Sequence, residues 1–329
     1  MSIGAVFPWQ HNIWQLLVQS RARQTLPHAF IFSGLQGVGK SHFTHVLSAW
    51  LLCQQPTELG ACGQCKSCQL WQAESHPDYR LLEAITDEKT GKTSRVIKVD
   101  QVREVVGFLN KSAQLNGYRV VVIQPADILN INAANSLLKT LEEPGDKIAI
   151  ILLTDQPLAL LPTIRSRCQH FALSVPSLEQ AKQWLEPQLK KPEQAGLLLA
   201  LTDNAPLAAL ALQDAAWFQV RAELAQSILA VSEKKSSPLQ TSQQWQKNLK
   251  ADELLIALVL LLADVLLMSL GQENAIKNSD LLPIIRLLAN RLADKHVFEL
   301  HEFCLDSQRL VSANIQANLL LDNFWQRLQ

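Results

Sequence analysis

Short, continuous apolar runs alternate with helical periodicity through the first half of the chain. Residues 29–33 (AFIFS), 119–123 (RVVVI) and 148–154 (IAIILLT) read as strands buried on both faces, because a strand with one wet face would alternate polar and apolar positions. Between them, residues 41–52 set Phe43, Val46, Leu47, Trp50 and Leu51 on one helical stripe. Asp100 is the expected N-cap of a helix carrying Val102, Val105, Val106 and Leu109. A helix over 133–143 must end before Pro144, which cannot continue it. Such alternation predicts an α/β domain with a largely parallel sheet.

From about Phe171 the strand signals stop, and residues 178–189, 193–201, 207–212, 217–231, 251–270, 280–293 and 298 onward all carry helical period. Three domains are expected: α/β over 1–173, a small helical domain over 174–213 and a larger all-helical one over 214–329. The polar stretch 232–248 is the expected surface linker between helices, and 84–95 an exposed loop. Residues 254–270 are apolar on every side, yet as a helix they span about 25 Å, short of a ~30 Å hydrocarbon core, and they include Asp264. The segment is therefore expected to be buried in protein, by its own bundle or by neighbouring subunits.

With 48% hydrophobic and 18% charged residues, the chain has ample material for buried cores and is globular. Its 30 basic residues balance 30 acidic ones, which excludes a protein that grips nucleic acid through global basicity. The first ten residues lack a charged region followed by an apolar one, so a cytoplasmic protein is expected.

The sequence Gly34-Leu35-Gln36-Gly37-Val38-Gly39-Lys40-Ser41 fits the pattern G-x-x-x-x-G-K-[ST] in full, between an apolar strand and an amphipathic helix. Glycines let the backbone form a nest of N–H donors, Lys40 reaches the β- and γ-phosphates, and Ser41 offers its hydroxyl to Mg²⁺. Gly34, Gly37, Gly39, Lys40 and Ser41 are thus the candidate nucleotide-binding residues; a merely glycine-rich turn is the plainer alternative. Hydrolysis also needs a carboxylate at the end of a second strand to hold the metal. Strand 119–123 runs instead into Gln124, Pro125 and Ala126 before Asp127. The cradle is expected to hold phosphate without cleaving it.

Cys53, Cys62, Cys65 and Cys68 give C-x8-C-x2-C-x2-C. Four thiolates at this spacing can converge as a closed, structural zinc site with no open position. An iron–sulfur cluster is the runner-up, although the Cys-Pro that ends such a run is absent, and four unrelated thiols is the plainest reading. Cys168 and Cys304 are isolated, and His42 and His45 on the P-loop helix read as structural. Arg165 and Arg167, after the third strand, sit where an arginine could stabilise charge on a phosphoryl group, in cis or in a neighbour's site; by composition alone a surface ion pair is the simpler reading.

These residues, in this order, resemble the clamp-loader branch of the AAA+ proteins. The resemblance rests on HAFIFSG before the P-loop, the four-cysteine module, HPDY (76–79), IKVDQVR (97–103), NAANSLLKTLEEP (132–144), LLTDQP (152–157) and RSRC (165–168). It implies a P-loop AAA+ domain, a helical lid and a helical collar that joins a pentameric ring. Motor subunits of that family carry Asp-Glu where this chain has Gln124-Pro125, and a sensor-two arginine where it has Leu207. Both losses imply a non-hydrolysing, stator-like subunit of the bacterial DNA polymerase III clamp loader, without ATPase of its own. Many such subunits have a degenerate P-loop; this one is intact, which leaves ATP binding open.

The resemblance further implies that Arg167 is an arginine finger reaching the ATP site of an adjacent motor subunit and that Thr154 holds the sensor-one position. It implies gamma/tau and delta subunits as partners in a hetero-pentamer, contact with the sliding clamp and primer-template DNA through that complex, and no membrane. A self-sufficient ATPase of the gamma/tau or helicase-loader type is the alternative. The intact P-loop argues for it, and Gln124, Pro125 and Leu207 argue against.

Overall fold

The strands are β1 (Ala29–Ser33), β2 (Tyr79–Leu82), β3 (Arg119–Ile123), β4 (Ile148–Thr154) and β5 (Gln169–Ala172), and they form one sheet in the order β2-β3-β4-β1-β5 with every pair parallel. A computed structural model describes residues 4–84, 96–115, 117–312 and 316–328, so the loop expected over 84–95 lies almost wholly outside the described residues. The chain divides into two compact units, Met1–Pro176 and Ser177–Gln329. β1, β3 and β4 are buried at every position, as their continuous apolar runs require. The two edge strands, β2 and β5, are mostly half-buried or exposed and carry no such run.

Helices of the first unit are α1 (His11–Ala22), α2 (Lys40–Leu52), α3 (Lys66–Gln72), α4 (Val99–Leu109), α5 (Ile131–Glu142) and the short α6 (Pro162–Arg165). Ile31, Val121, Ile123, Ile150 and Leu152 share a core with Val102, Val105, Leu137 and Leu141, so α4 and α5 cover one face of the sheet. The alternate residues Phe30 and Phe32 point to the other face, where Phe32 meets Phe43 of α2 at 5.1 Å between ring centres. The start of α4 differs from expectation. Lys98 is its N-cap, the Gln101 side chain accepts the Lys98 N–H at 3.0 Å, and Asp100 lies inside the first turn, where it pairs with Arg103. Asp100 thus complements the positive helix end rather than capping it. Asn130 caps α5, its side chain accepting the Ala133 N–H at 2.8 Å, and the helix stops at Glu142, just before Glu143-Pro144.

Among the described residues the regular elements of the second unit are all helices: α7 (Leu178–Leu185), α8 (Ala195–Leu201), α9 (Pro206–Leu212), α10 (Ala216–Ser232), α11 (Pro238–Asn248), α12 (Ala251–Ser269), α13 (Leu282–Arg291), α14 (Asp294–Ser312) and α15 (Ala317–Arg327). One hydrophobic core runs from Ala181 to Leu328. Most of the stretch expected to be a linker is α11. Its Trp245 is buried, and Ser242 donates to Asp322 of α15 at 2.6 Å. A polar outer face concealed an amphipathic helix.

α12 is the all-apolar segment, and its own unit covers most of it: Leu254, Leu255, Leu258, Leu261, Leu262 and Val265 are buried, while Ile256 is exposed. Asp264 is buried because it accepts the backbone N–H groups of Lys277 and Asn278 at 2.9 and 2.8 Å and the Asn278 amide at 2.7 Å. Among the described residues no single helix is long and apolar enough to cross a membrane; one bent pair, Pro192–Leu201 with Pro206–Leu212, passes by length and composition only.

Candidate nucleotide and metal sites

In a parallel sheet the loops that follow the strands gather at its carboxyl edge, where open α/β sheets bind ligands. The P-loop follows β1, Gln124 to Asp127 follow β3, and Asp155 follows β4. Gly34 has φ 151°, and a Cβ there would stand 2.4 Å from the Leu173 carbonyl oxygen, so only glycine fits. At Gly39, with φ 91°, a Cβ would stand 2.8 Å from the Phe7 ring. Trp9 and Gln10 donate to the Val38 carbonyl, both at 3.0 Å, so the N-terminal segment braces the loop.

Lys40 has no unspent donor direction. Its ammonium bonds the carbonyls of Gly34 and Leu35, both at 2.8 Å, and pairs with Asp155 at 2.5 Å. Sequence reasoning missed Asp155, although it sits in the quoted LLTDQP stretch. Thr154 lies opposite Ser33, donates to Asp127 at 2.5 Å and accepts the Gln156 N–H at 2.9 Å. Gln124 turns to Glu83 at the end of β2, donating at 2.6 Å. Among the described residues, the carboxylates that follow these strands are engaged: Asp155 by Lys40, Asp127 by Thr154 and Glu83 by Gln124.

Arg167 belongs to the opposite edge. It precedes β5, whose Gln169 pairs with Phe30 at the start of β1. Arg167 pairs with Glu142, at the end of α5, at 2.6 Å and also donates to the Thr163 carbonyl at 2.9 Å. Burial pushes the neighbouring Cys168 thiol up to about 12. Leu207, at the expected sensor-two position, is the second residue of α9 in the helical unit and is half-buried.

The four cysteines of the second candidate site converge, all sulfurs lying within 4.8 Å of one another. Cys53 to Cys65 and Cys62 to Cys68 measure 3.9 Å, and Cys53 to Cys68 3.6 Å. A disulfide would need about 2.05 Å. A tetrahedron with metal–sulfur bonds of about 2.3 Å has edges near 3.8 Å, so the spacing fits a single tetrahedral ion. Backbone N–H groups already point at the sulfurs, from Gln55 and Cys62 to Cys53, from Cys65 to Cys62 and from Cys68 to Cys65. Such donors from Gln64 and Cys65 draw Cys62 down to about 6, whereas burial pushes Cys53 and Cys68 above the ordinary thiol range. A dication at the centre would favour the thiolate form of all four. Two indoles hold the intervening loop: Trp50 donates to the Thr57 carbonyl at 2.7 Å and Trp14 to that of Glu58 at 2.8 Å.

The chain is similar to known proteins along most of its length. A family model described as DNA polymerase III, delta subunit, matches residues 9–177, and one for the C-terminal part of that subunit matches 215–327. The DNA polymerase III subunit delta' of Pseudomonas aeruginosa is 33% identical over 96% of this chain and 95% of its own length. The chain belongs to the DNA polymerase III subunit delta' family. Subunit delta' of Escherichia coli K12 is 40% identical over 68% of this chain and 65% of that protein. A solved gamma subunit-related protein from Thermotoga maritima aligns with TM-score 0.47 and 19% identity, over 96% of this chain and 100% of that one. Membership in the delta' family agrees with the clamp-loader resemblance carried by the P-loop, the four cysteines and the RSRC stretch.

Proposed function

We propose that this chain is the non-hydrolysing subunit of a DNA polymerase III clamp loader, a stator-like member of the machine that opens the sliding clamp and loads it on primed DNA. Delta' family membership carries the reading, and the carboxyl edge of the sheet supports it. Gln124 and Pro125 stand where a motor needs a metal-holding carboxylate, and Lys40 is already neutralised by Asp155. A self-sufficient motor of the gamma/tau or helicase-loader type is the weaker reading, since the same residues and Leu207 remove what such a motor requires.

Arg167 is the proposed arginine finger, acting in trans. The P-loop follows β1 while Arg167 precedes the adjacent parallel strand β5, so the length of β1, about 16 Å for five residues, separates them. That is farther than an arginine side chain reaches, and a phosphate served by Arg167 belongs to a neighbour. The Glu142 pair does not forbid this. Its partners are 34% and 49% exposed, and an exposed ion pair is worth only about 0–1 kcal/mol. Gly34, Gly37, Gly39, Lys40 and Ser41 form the proposed nucleotide cradle, with Thr154 on the strand beside it, and an entering phosphate must take Lys40 from Asp155.

Cys53, Cys62, Cys65 and Cys68 are proposed to hold one structural zinc ion. A multi-iron cluster, whose thiolates bind separate irons, would spread them more widely than 3.6–3.9 Å. We also propose the division of the helical half near residue 214 into lid and collar, supported by the gap between the two matched segments, 9–177 and 215–327. The collar would join gamma/tau and delta subunits in a hetero-pentamer. Reconstitution tests the reading: mixed with those subunits, the chain should enter a stable complex that loads the clamp on primed DNA, and omitting it should abolish loading. A chain that stays outside the complex, with loading undiminished, would overturn it.

A further inference from the structure

The HPDY stretch has no part in the nucleotide cradle, yet its polar residues are almost completely buried: His76 is 6% and Asp78 0% exposed. His76 faces Ser67, which stands between Cys65 and Cys68 and is itself 1% exposed. The Ser67 hydroxyl donates to the Leu52 carbonyl at 2.7 Å, and Leu52 is the last residue of α2, directly before Cys53. That carbonyl belongs to the last turn of a helix, where backbone acceptors lack intrahelical partners.

The donors in this chain of contacts can be assigned. A hydroxyl has one hydrogen, and Ser67 gives it to Leu52, so at 2.8 Å the His76 Nε2–H must donate to Ser67 Oγ. His76 Nδ1 accepts the Asp78 N–H at 3.1 Å. The imidazole is therefore neutral with its proton on Nε2, and burial, which lowers the His76 pKa, acts in the same direction. Asp78 anchors the other end. Its carboxylate accepts the N–H groups of Gln114 and Leu115 at 2.8 and 3.0 Å and faces Arg119 at 3.6 Å, while its carbonyl accepts the Val120 N–H at 2.9 Å. His76 is thus fixed to the sheet on one side and reaches into the cysteine module on the other.

We infer that Ser67 and His76 are positioning residues for the four-thiolate site, pinning the end of α2, which leads into Cys53, to α3, which is capped by Cys65 and contains Cys68. Neither side chain touches the metal. They set the distance between two of its supports, and loss of the Ser67 hydroxyl would leave the Leu52 carbonyl and the His76 Nε2–H buried without partners. The inference rests on the metal reading above, so its test must separate the two.

The full-length chain is loaded with zinc, its zinc content is measured, and release to a chromophoric chelator is timed for wild type, Ser67→Ala, His76→Leu and His76→Gln. Release from Ser67→Ala and His76→Leu should be about tenfold faster, in line with the 10- to 100-fold cost of losing supporting contacts around metal ligands. His76→Gln, whose amide can still donate to Ser67, should release zinc at close to the wild-type rate. With cobalt in place of zinc, the sulfur-to-metal charge-transfer bands should shift in the first two variants and not in His76→Gln. If His76→Leu fails to fold, Ser67→Ala carries the decision, because it removes a single oxygen. Bound zinc with wild-type release and unchanged cobalt spectra in Ser67→Ala would overturn the inference alone; a wild-type chain that takes up no zinc would overturn the metal reading and the inference together.

Discussion

Lys40 stands at the carboxyl edge of the sheet and Arg167 at its amino edge, and the chain surrounds the two cations differently. Lys40 is 10% exposed and held by three oxygens of its own domain, two of them from the P-loop itself. Arg167 is 34% exposed and held by an ion pair to a half-exposed glutamate, the Thr163 carbonyl and the Ser166 hydroxyl at 3.3 Å, so exposure rather than the number of partners sets it apart from Lys40. A cation satisfied internally has little left for a ligand, whereas one on an exposed edge exchanges an ion pair for a phosphate at small cost. Under the proposed reading, the cation that does chemistry is Arg167, at the amino edge of the sheet.

The largest effect should come from the exposed cation. Arg167→Ala should leave folding and assembly intact while DNA- and clamp-stimulated ATPase of the reconstituted loader falls, by about 10³ if the finger contributes as fingers do in well-studied GTPases. Arg167→Lys should recover little, since a point charge lacks the planar fork that meets two oxygens at once. Equal assembly with unchanged turnover would reduce Arg167 to a surface ion-pair residue and erase the contrast.

A smaller effect should appear at the satisfied cation. Asp155→Asn removes the competitor for Lys40, and a pair whose carboxylate is half-exposed, worth about 1 kcal/mol, translates into roughly fivefold tighter nucleotide binding by the isolated chain. Calorimetric titration with an ATP analogue reads it directly. Binding that weakens would show that Asp155 supports the cradle instead of closing it.

Smallest of all, Glu142→Gln should change the stability of the first unit by less than about 1 kcal/mol, read by urea unfolding through tryptophan fluorescence, and loader turnover should persist. A loss of turnover as deep as that of Arg167→Ala would mean that Glu142 aims the arginine, and would sharpen the comparison into one of a held finger against a held lysine.

Much of this was legible in the sequence, for reasons that differ from element to element. β1, β3 and β4 announce themselves because strands buried on both faces need unbroken apolar runs. β2 and β5 are edge strands with exposed positions and give no run to read. α11 hides behind glutamines because three buried residues, Thr241, Ser242 and Trp245, suffice to seat it. The P-loop and the four cysteines are local motifs, and local spacing carries them. Lys40 with Asp155, Arg167 with Glu142, and Ser67 with His76 are tertiary partnerships, set by strand order and helix placement that no single stretch records. For Arg167, strand order adds what the motif lacked: the distance from its own P-loop.

The most direct test of the account is ATP turnover by the purified chain alone. Hydrolysis should stay at background with and without DNA, and Lys40→Ala should not change it, because Gln124 and Pro125 supply no carboxylate for metal or water. Steady turnover that disappears in Lys40→Ala would contradict the account and make this chain a motor in its own right.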